Sequence, residues 1–455
     1  MRWSLEAVAG FTGGTLHPGV SSRETALTGV SIDSRSINPG NLFVAIRAER
    51  DGHDFIGAAV RGGAAGLLVD RSRVPTAEGP VPVIAVADTA NALLDLGEAA
   101  RNRLDVPVVG ITGSVGKTST KDMAAAALGS RFVTVSSEKS FNNELGVPLT
   151  LANAPEPTEV AVIEMGSRGP GHIAKLCRVA HPTIGVVTAV AAAHTEAFGG
   201  LDQVADAKAE LVEAIPEGGT VVLNADDFRV LAMAGRTPAQ VLAYSVLSPP
   251  SDRADILAEA IVLDDGLRPE FTVHTPWGSG RVRLEARGAH QVGNALAALA
   301  VALRCGVDLD SATTALTEAR LSPWRMEVTS TSSGAFVLND AYNANPASMA
   351  AALQALSGLK ASRRLAVLGV MAELGDRSEG EHLAITEMAA KLGIELIPFE
   401  TGAYGLPAVA DIDEALERIG PLKSGDAVLV KASRVAGLER LAARLTDGDE
   451  SDASR

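Results

Sequence analysis

Gly110 to Thr120 reads GITGSVGKTST. Ahead of it, Pro107 introduces the β-branched run VVGIT (108–112), which predicts a buried strand, and behind it TSTKDMAAAALGS (118–130) predicts a helix. Strand, glycine loop and helix in that order make a phosphate cradle. Gly113 and Gly116 let the backbone approach an anion closely, and the helix N-terminus adds partial positive charge. Lys117 is placed to reach the β- and γ-phosphates, and the Thr118 hydroxyl stands where such loops ligate magnesium. Ser114, Val115 and Ser119 complete the nucleotide-binding stretch. The match to G-x-x-x-x-G-K-[ST] is incomplete, because Ile111 occupies the place of the first glycine. The loop implies ATP or GTP and leaves open which chemistry the nucleotide drives.

On either side of this loop the pattern is α/β. Before it, the apolar runs Asn41–Ile46, Ala65–Val69 and Val83–Val86 alternate with turns and helical stretches, as in a small α/β domain. After it, buried-strand candidates recur at Val160–Ile163, Ile184–Val190 and Thr220–Leu223, with a helical pattern at Gln203–Ala214. That spacing predicts a doubly wound, mostly parallel sheet. Asp264–Arg287 alternates as antiparallel strands do, and Gln291–Cys305 predicts an alanine-rich helix. Beyond Leu321-Ser322-Pro323 the alternation restarts at Phe336–Leu338, Leu365–Leu368 and Ala427–Val430, a Rossmann-like α/β region. The expected domains are 1–104, 105–320 and 321–455, consistent with a chain of 455 residues.

The formal net charge of −15 argues against a nucleic-acid or anionic-membrane partner, so an anionic ligand must meet local positive groups. Cys177 and Cys305 alone, far apart in sequence, suit neither a disulfide framework nor a zinc site and point to a reducing cytoplasm. No basic segment leads into an apolar run at the N-terminus, and no apolar stretch reaches about 18 residues, so neither export nor a membrane span is expected.

Magnesium prefers oxygen ligands, and open α/β sheets gather ligands at the C-terminal ends of their strands. Glu164 follows the apolar run VAVI, and His194 follows TIGVVTAVAAA. Each is also what an ordinary loop carboxylate or capping histidine looks like, and the residues alone do not decide. Lys208, in QVADAKAELVEA, reads by composition as a surface lysine paired with an acidic neighbour one turn away.

Taken together, these positions resemble the Mur ligase family of cytoplasmic peptidoglycan-precursor enzymes, whose relatives include folylpolyglutamate synthetase. The likeness spans TGSVGKTST, Glu164, His194 within AHTEAFGG, Lys208, HQVGNALAALAVA (290–302), WRMEV (324–328) and NDAYNANPASM (339–349). The resemblance implies ATP at the loop and magnesium near Thr118, Glu164 and His194. It makes Lys208 the counterpart of a lysine that several members carbamylate, which turns a cation into a carboxylate. It further implies contacts to the nucleotide from Asn294, Arg325 and Asp340, and catalytic parts for Lys117, His194 and Lys208.

SFNNELGVPLTL (140–151) and DAYNANPASM resemble the branch that adds D-Ala-D-Ala to a UDP-N-acetylmuramoyl-tripeptide through an acyl phosphate. No D-N-P-R string, the mark of diaminopimelate-adding members, occurs. VSIDSRSINPGNLFVAI (30–46) with DGHDFI (51–56) resembles the segment holding the uridine-diphosphate sugar, which makes Ser34, Arg35 and Asn143 the substrate-side candidates. Two residues depart from the family pattern, Val370 and Asn41, each where relatives commonly carry Asp. The expectation is a monomeric, cytoplasmic ligase; the alternatives are another Mur-type ligase (amino-acid-adding, tripeptide-forming) and a P-loop kinase or nucleotide-gated interaction protein.

Overall fold

The computed structural model describes residues 1–17, 26–74, 81–138, 141–192, 198–249 and 251–452. His194 lies outside the described residues. The strands form three sheets. The first contains β1 (Thr15–His17), β2 (Gly29–Ser31), β3 (Asn41–Val44), β4 (Gly66–Asp70) and β5 (Val83–Val86), in the order β1-β5-β4-β3-β2. Its pairs are parallel except for β1 against β5.

The second sheet carries β6 (Val108–Thr112), β7 (Thr134–Ser136), β8 (Val160–Glu164), β9 (Ile184–Val187), β10 (Thr220–Asn224), β11 (Gln240–Ser245), β12 (Ile256–Leu263), β13 (Pro269–Thr275) and β14 (Gly278–Arg283). Its order is β14-β13-β12-β11-β10-β9-β6-β8-β7, which places β6, the strand that feeds the glycine loop, inside the sheet. A strand covered on both faces must be apolar throughout, and every residue of β6 is buried. The alternating stretch forms the antiparallel meander β12-β13-β14 at one edge, starting earlier than Asp264, at Ile256.

The third sheet joins β15 (Glu327–Ser330), β16 (Phe336–Asn339), β17 (Arg363–Leu368), β18 (Glu395–Pro398) and β19 (Asp426–Lys431) in the order β15-β16-β19-β17-β18. All its pairs are parallel except the β15-β16 hairpin. Helices Pro346–Gly358 and Ser378–Lys391 fill the core on one face, around Met349, Leu353 and Ile385. Helices Ile412–Ile419 and Glu439–Asp452 cover the other, around Ala415, Leu438 and Leu441.

By compactness the chain divides into two units. One comprises Met1–Gly110, Phe132–Gly166 and His172–Ile184; the other comprises Ile111–Arg131, Ser167–Gly171 and Gly185–Arg455. In the first, helix Thr89–Arg103 packs on helix Gly146–Ala152 so closely that a Cβ on Gly97 would lie 2.4 Å from Pro148 Cβ. In the second, helix Gln291–Arg304 packs along helix Lys117–Gly129. Its unbroken buried run from Asn294 to Leu303 is rich in alanine, which lets the two axes approach. Among the described residues no helix is long and apolar enough to cross a membrane.

Candidate functional site

The glycine loop is held from below by the segment that leaves β9. Thr188 Oγ1 lies 2.5 Å from Val115 O and 3.3 Å from Thr112 O. Ser114 N donates to Ala189 O at 2.8 Å, and the Ser114 hydroxyl bonds both Ala191 O and Ala191 N at 3.0 Å. This closeness is why residue 113 is glycine: its φ is +145°, and a Cβ there would sit 2.0 Å from Thr188 Oγ1. Gly116 (φ +85°) is constrained in the same way, since its Cβ would meet Asn294 Oδ1 at 2.4 Å. Helix Lys117–Gly129 begins directly after it, with Gly116 as its N-cap and Thr118, Ser119 and Thr120 buried in its first turn. Lys117 Nζ donates to Gly113 O at 2.7 Å, so its ammonium lies over the loop where phosphates would be cradled.

Asn294 is 8 % exposed and its amide is engaged with the protein. Nδ2 donates to Gln291 Oε1 at 2.8 Å, and Oδ1 accepts from Thr120 Oγ1 at 3.2 Å. The residue therefore stands against the back of the glycine loop.

Arg325 reaches the same loop from the linker that precedes β15. Its Nη2 donates to Thr118 Oγ1 at 2.8 Å, its guanidinium lies 4.1 Å from the Tyr342 ring centroid, and its buried Nε has no hydrogen-bond partner among the described residues. The linker holds its shape at a cost. Trp324 (φ +61°) and Met326 (φ +52°) are both left-handed, a conformation that disfavours side-chain-bearing residues by about 1–2 kcal/mol each. Several contacts offset that cost: Arg434 stacks 4.4 Å from the Trp324 ring centroid, Asp122 Oδ2 accepts from Ser322 N at 2.7 Å, and Asp340 Oδ1 accepts from Met326 N at 3.1 Å.

Lys208 is buried, 3 % exposed, and is not the surface lysine its composition suggested. On helix Leu201–Ala214 it shares a stripe with Val204, Ala207 and Leu211, the i, i+3, i+4, i+7 positions of a core-facing surface. Burial first, then repulsion from Lys117, lowers its pKa to about 7, so much of it is neutral amine near physiological pH. Its Nζ is 5.9 Å from the Phe198 ring centroid.

The remaining candidates belong to the other compact unit. Glu164 ends β8, 1 % exposed. Its Oε1 accepts from Asn142 Nδ2 at 2.7 Å, while the buried Oε2 has no partner among the described residues. A buried carboxylate oxygen left without a donor suits a cation, and magnesium takes few protein oxygens besides water and phosphate. Glu164 therefore suits a metal ligand, although no group of three or more His, Cys, Asp or Glu side chains gathers as a metal centre among the described residues.

Ser34 and Arg35 form the turn after β2. Arg35 is exposed and pairs with Asp33 at 2.7 Å, and that hydrogen bond holds the Asp33 carboxyl down at about 2. Asn143 Oδ1 accepts from Leu145 N at 3.2 Å and Gly146 N at 2.9 Å, organising the start of helix Gly146–Ala152.

Sequence reasoning missed Thr188, Asn142 and Tyr342. Thr188 directly follows β9, so the strand-end rule that selected Glu164 would also have found it. Tyr342 lies inside the quoted motif NDAYNANPASM but shows its role only once Arg325 is laid over it.

Comparison with known proteins gives consistent matches along the chain. Residues 26–101 match "Mur ligase family, catalytic domain", residues 111–302 "Mur ligase middle domain" and residues 324–434 "Mur ligase, glutamate ligase domain". The UDP-N-acetylmuramoyl-tripeptide–D-alanyl-D-alanine ligase of Mycobacterium tuberculosis (strain ATCC 25618 / H37Rv) is 41 % identical over 92 % of each chain. Its Escherichia coli (strain K12) counterpart is 36 % identical over 93 % of this chain and 95 % of its own. Among solved structures, MurF from Acinetobacter baumannii superposes with a TM-score of 0.85 at 29 % identity, covering 98 % of this chain and 99 % of that one. The MurF ligase of Thermotoga maritima, solved in complex with ADP, gives 0.79 at 27 % identity, covering 91 % and 96 %. With family matches reaching from residue 26 to residue 434 and a relative this similar over nearly its whole length, the chain belongs to the Mur ligase family.

Proposed function

We infer that this chain is an ATP-dependent amide-forming ligase that joins D-Ala-D-Ala to the terminal carboxylate of a UDP-N-acetylmuramoyl-tripeptide in peptidoglycan precursor synthesis. The observation that carries the ATP-dependent step is the cradle itself: Gly113 and Gly116 in backbone conformations reserved for glycine, Lys117 Nζ over the loop, and Arg325 on the Thr118 hydroxyl. The choice of acceptor is supported by relatives of that name at 41 % and 36 % identity.

A carboxylate is a poor electrophile. Phosphorylation of its oxygen by the γ-phosphoryl group of ATP releases ADP and leaves an acyl phosphate; the dipeptide amine then attacks the acyl carbon, inorganic phosphate departs, and the nitrogen loses a proton. Little of this needs protein covalent chemistry, so the chain positions groups and stabilises charge. Lys117 counters charge on the transferring group, while Arg325, with an unmet Nε donor, supplies planar donors beside Thr118. Ser114, Val115 and Ser119 complete the ATP set, Asn294 backs the loop at Gly116, and Asp340 completes the set on the linker side. Magnesium, when bound, neutralises phosphate charge; Thr118, Glu164 and His194 are its proposed ligands. Lys208, neutral enough to take up carbon dioxide, is the proposed carbamate. Ser34, Arg35 and Asn143 are assigned to the UDP-sugar side. The domains are taken as 1–104, 105–320 and 321–455, and the enzyme as a cytoplasmic monomer that binds no nucleic acid.

Incubation with ATP, magnesium, the UDP-muramoyl-tripeptide or a shorter UDP-muramoyl precursor, and a panel of amines, read by mass spectrometry, tests this function. Pentapeptide product with D-Ala-D-Ala is expected. Addition of a single amino acid to a shorter precursor would reassign the chain within the family, and a phosphorylated product without an amide would make it a kinase.

A further inference from the structure

Strands β16 and β19 run side by side, and their ladder continues one step further, from Asp340 N to Val430 O at 2.9 Å. Asp340, the first residue past β16, thus lies beside the end of β19, whose last residue is Lys431. The Lys431 side chain is 3 % exposed, with Nζ 2.5 Å from Asp340 Oδ2, 2.8 Å from Asn343 O and 3.4 Å from Asp340 O. An ammonium has three donors, and these three acceptors all lie within the protein. Lys431 is therefore turned inward. The other oxygen of Asp340 accepts from Met326 N, one residue past Arg325. Arg325 is flanked by left-handed Trp324 and Met326, so its aim at Thr118 depends on a backbone conformation that neither neighbour favours on its own.

We propose that the Asp340–Lys431 ion pair is a brace that fixes the Met326 amide and so aims Arg325 at the phosphate loop, which makes Lys431 a positioning residue for phosphoryl transfer. This rests on the reading that Arg325 acts on the nucleotide. A buried ion pair is often no more stabilising than apolar side chains of the same size, so the effect belongs to geometry more than to the fold. The brace also gives Asp340 a task distinct from touching the nucleotide.

The test is steady-state kinetics in ATP on the full chain, with thermal unfolding of each variant as a check on folding. Lys431→Met should lower kcat/KM for ATP by roughly 10- to 100-fold, as misplacing a positioned group does. Lys431→Arg should recover part of that loss. In an Arg325→Ala background, Lys431→Met should cost less than about 3-fold more, because the group it aims has gone. Equal factors in both backgrounds, or no effect in either, would overturn the brace. If Lys431→Met fails to fold by stranding the Asp340 charge, the neutral pair Asp340→Asn/Lys431→Met carries the same comparison. Arg325→Ala with undiminished activity would overturn the nucleotide role of Arg325 and the brace with it. A large loss in Arg325→Ala, combined with a multiplying loss from Lys431→Met, removes only the brace.

Discussion

At pH 8 the Lys208 amine holds a proton only a minority of the time, because burial has brought its pKa to about 7. An unfolded lysine titrates near 10.4, so between those values the unfolded chain binds a proton the native one lacks, and unfolding free energy rises with pH by up to about 1.4 kcal/mol per unit. The burial penalty is thus full below pH 7 and fades above it. In bicarbonate-free buffer the wild type should gain stability relative to Lys208→Met between pH 7 and pH 9 in urea titrations; a constant difference would mean Lys208 stays charged. With ¹³C-bicarbonate, an NMR carbamate signal should appear in the wild type and vanish in Lys208→Met. Lys117→Ala should lower kcat by about 100-fold or more while the far-ultraviolet spectrum is unchanged, as loss of one preorganised charge at a reacting group does. At this scale the sequence was readable wherever chemistry follows from residue type and neighbours, as at Gly113, Gly116 and Lys117. Lys208 showed its burial only through its helical stripe. Lys431 gave no sign, because its partner is 91 positions away and meets it only when β16 pairs with β19.

Among the elements, the glycine loop depends on a strand that the sequence made too long. The apolar run Ile184–Val190 predicted strand throughout, yet β9 stops at Val187 and the residues after it serve the loop. Thr188→Val keeps the shape and removes the hydroxyl beside Val115 O. It should destabilise the protein by about 1–2 kcal/mol through the carbonyl left unsatisfied, and raise KM for ATP more than it lowers kcat. An unchanged KM would mean that the loop holds its form without this clasp. Hydropathy counts apolar residues and is blind to a backbone that turns to hydrogen bond elsewhere, which is why the end of β9 was missed while its core was not. The left-handed residues of the linker were hidden for a related reason. Trp324 and Met326 are poor choices for that conformation, and contacts from Asp122, Arg434 and Asp340, on other elements, make it tenable.

For the molecule as a whole, the three expected α/β regions correspond to three sheets, because strand and helix alternation is a local signal repeated many times. The two compact units were not legible, since they interleave segments far apart in sequence. ATP with magnesium at 100 times its dissociation constant should add about 2.7 kcal/mol to unfolding, and Lys117→Ala should lose most of that gain; equal stabilisation of both proteins would place the nucleotide elsewhere. Light scattering should give the mass of one chain, 46.8 kDa. The contact between Gly116 and Asn294 has a consequence for inhibitor design. A compound seated against Gly116 meets a position that is costly to enlarge, because any side chain there would carry the strain of a +85° φ and its Cβ would press on Asn294 Oδ1 at 2.4 Å. Changing Asn294 would clear the space but leave the backbone strain, so single-step resistance to such a compound should arise at other positions first.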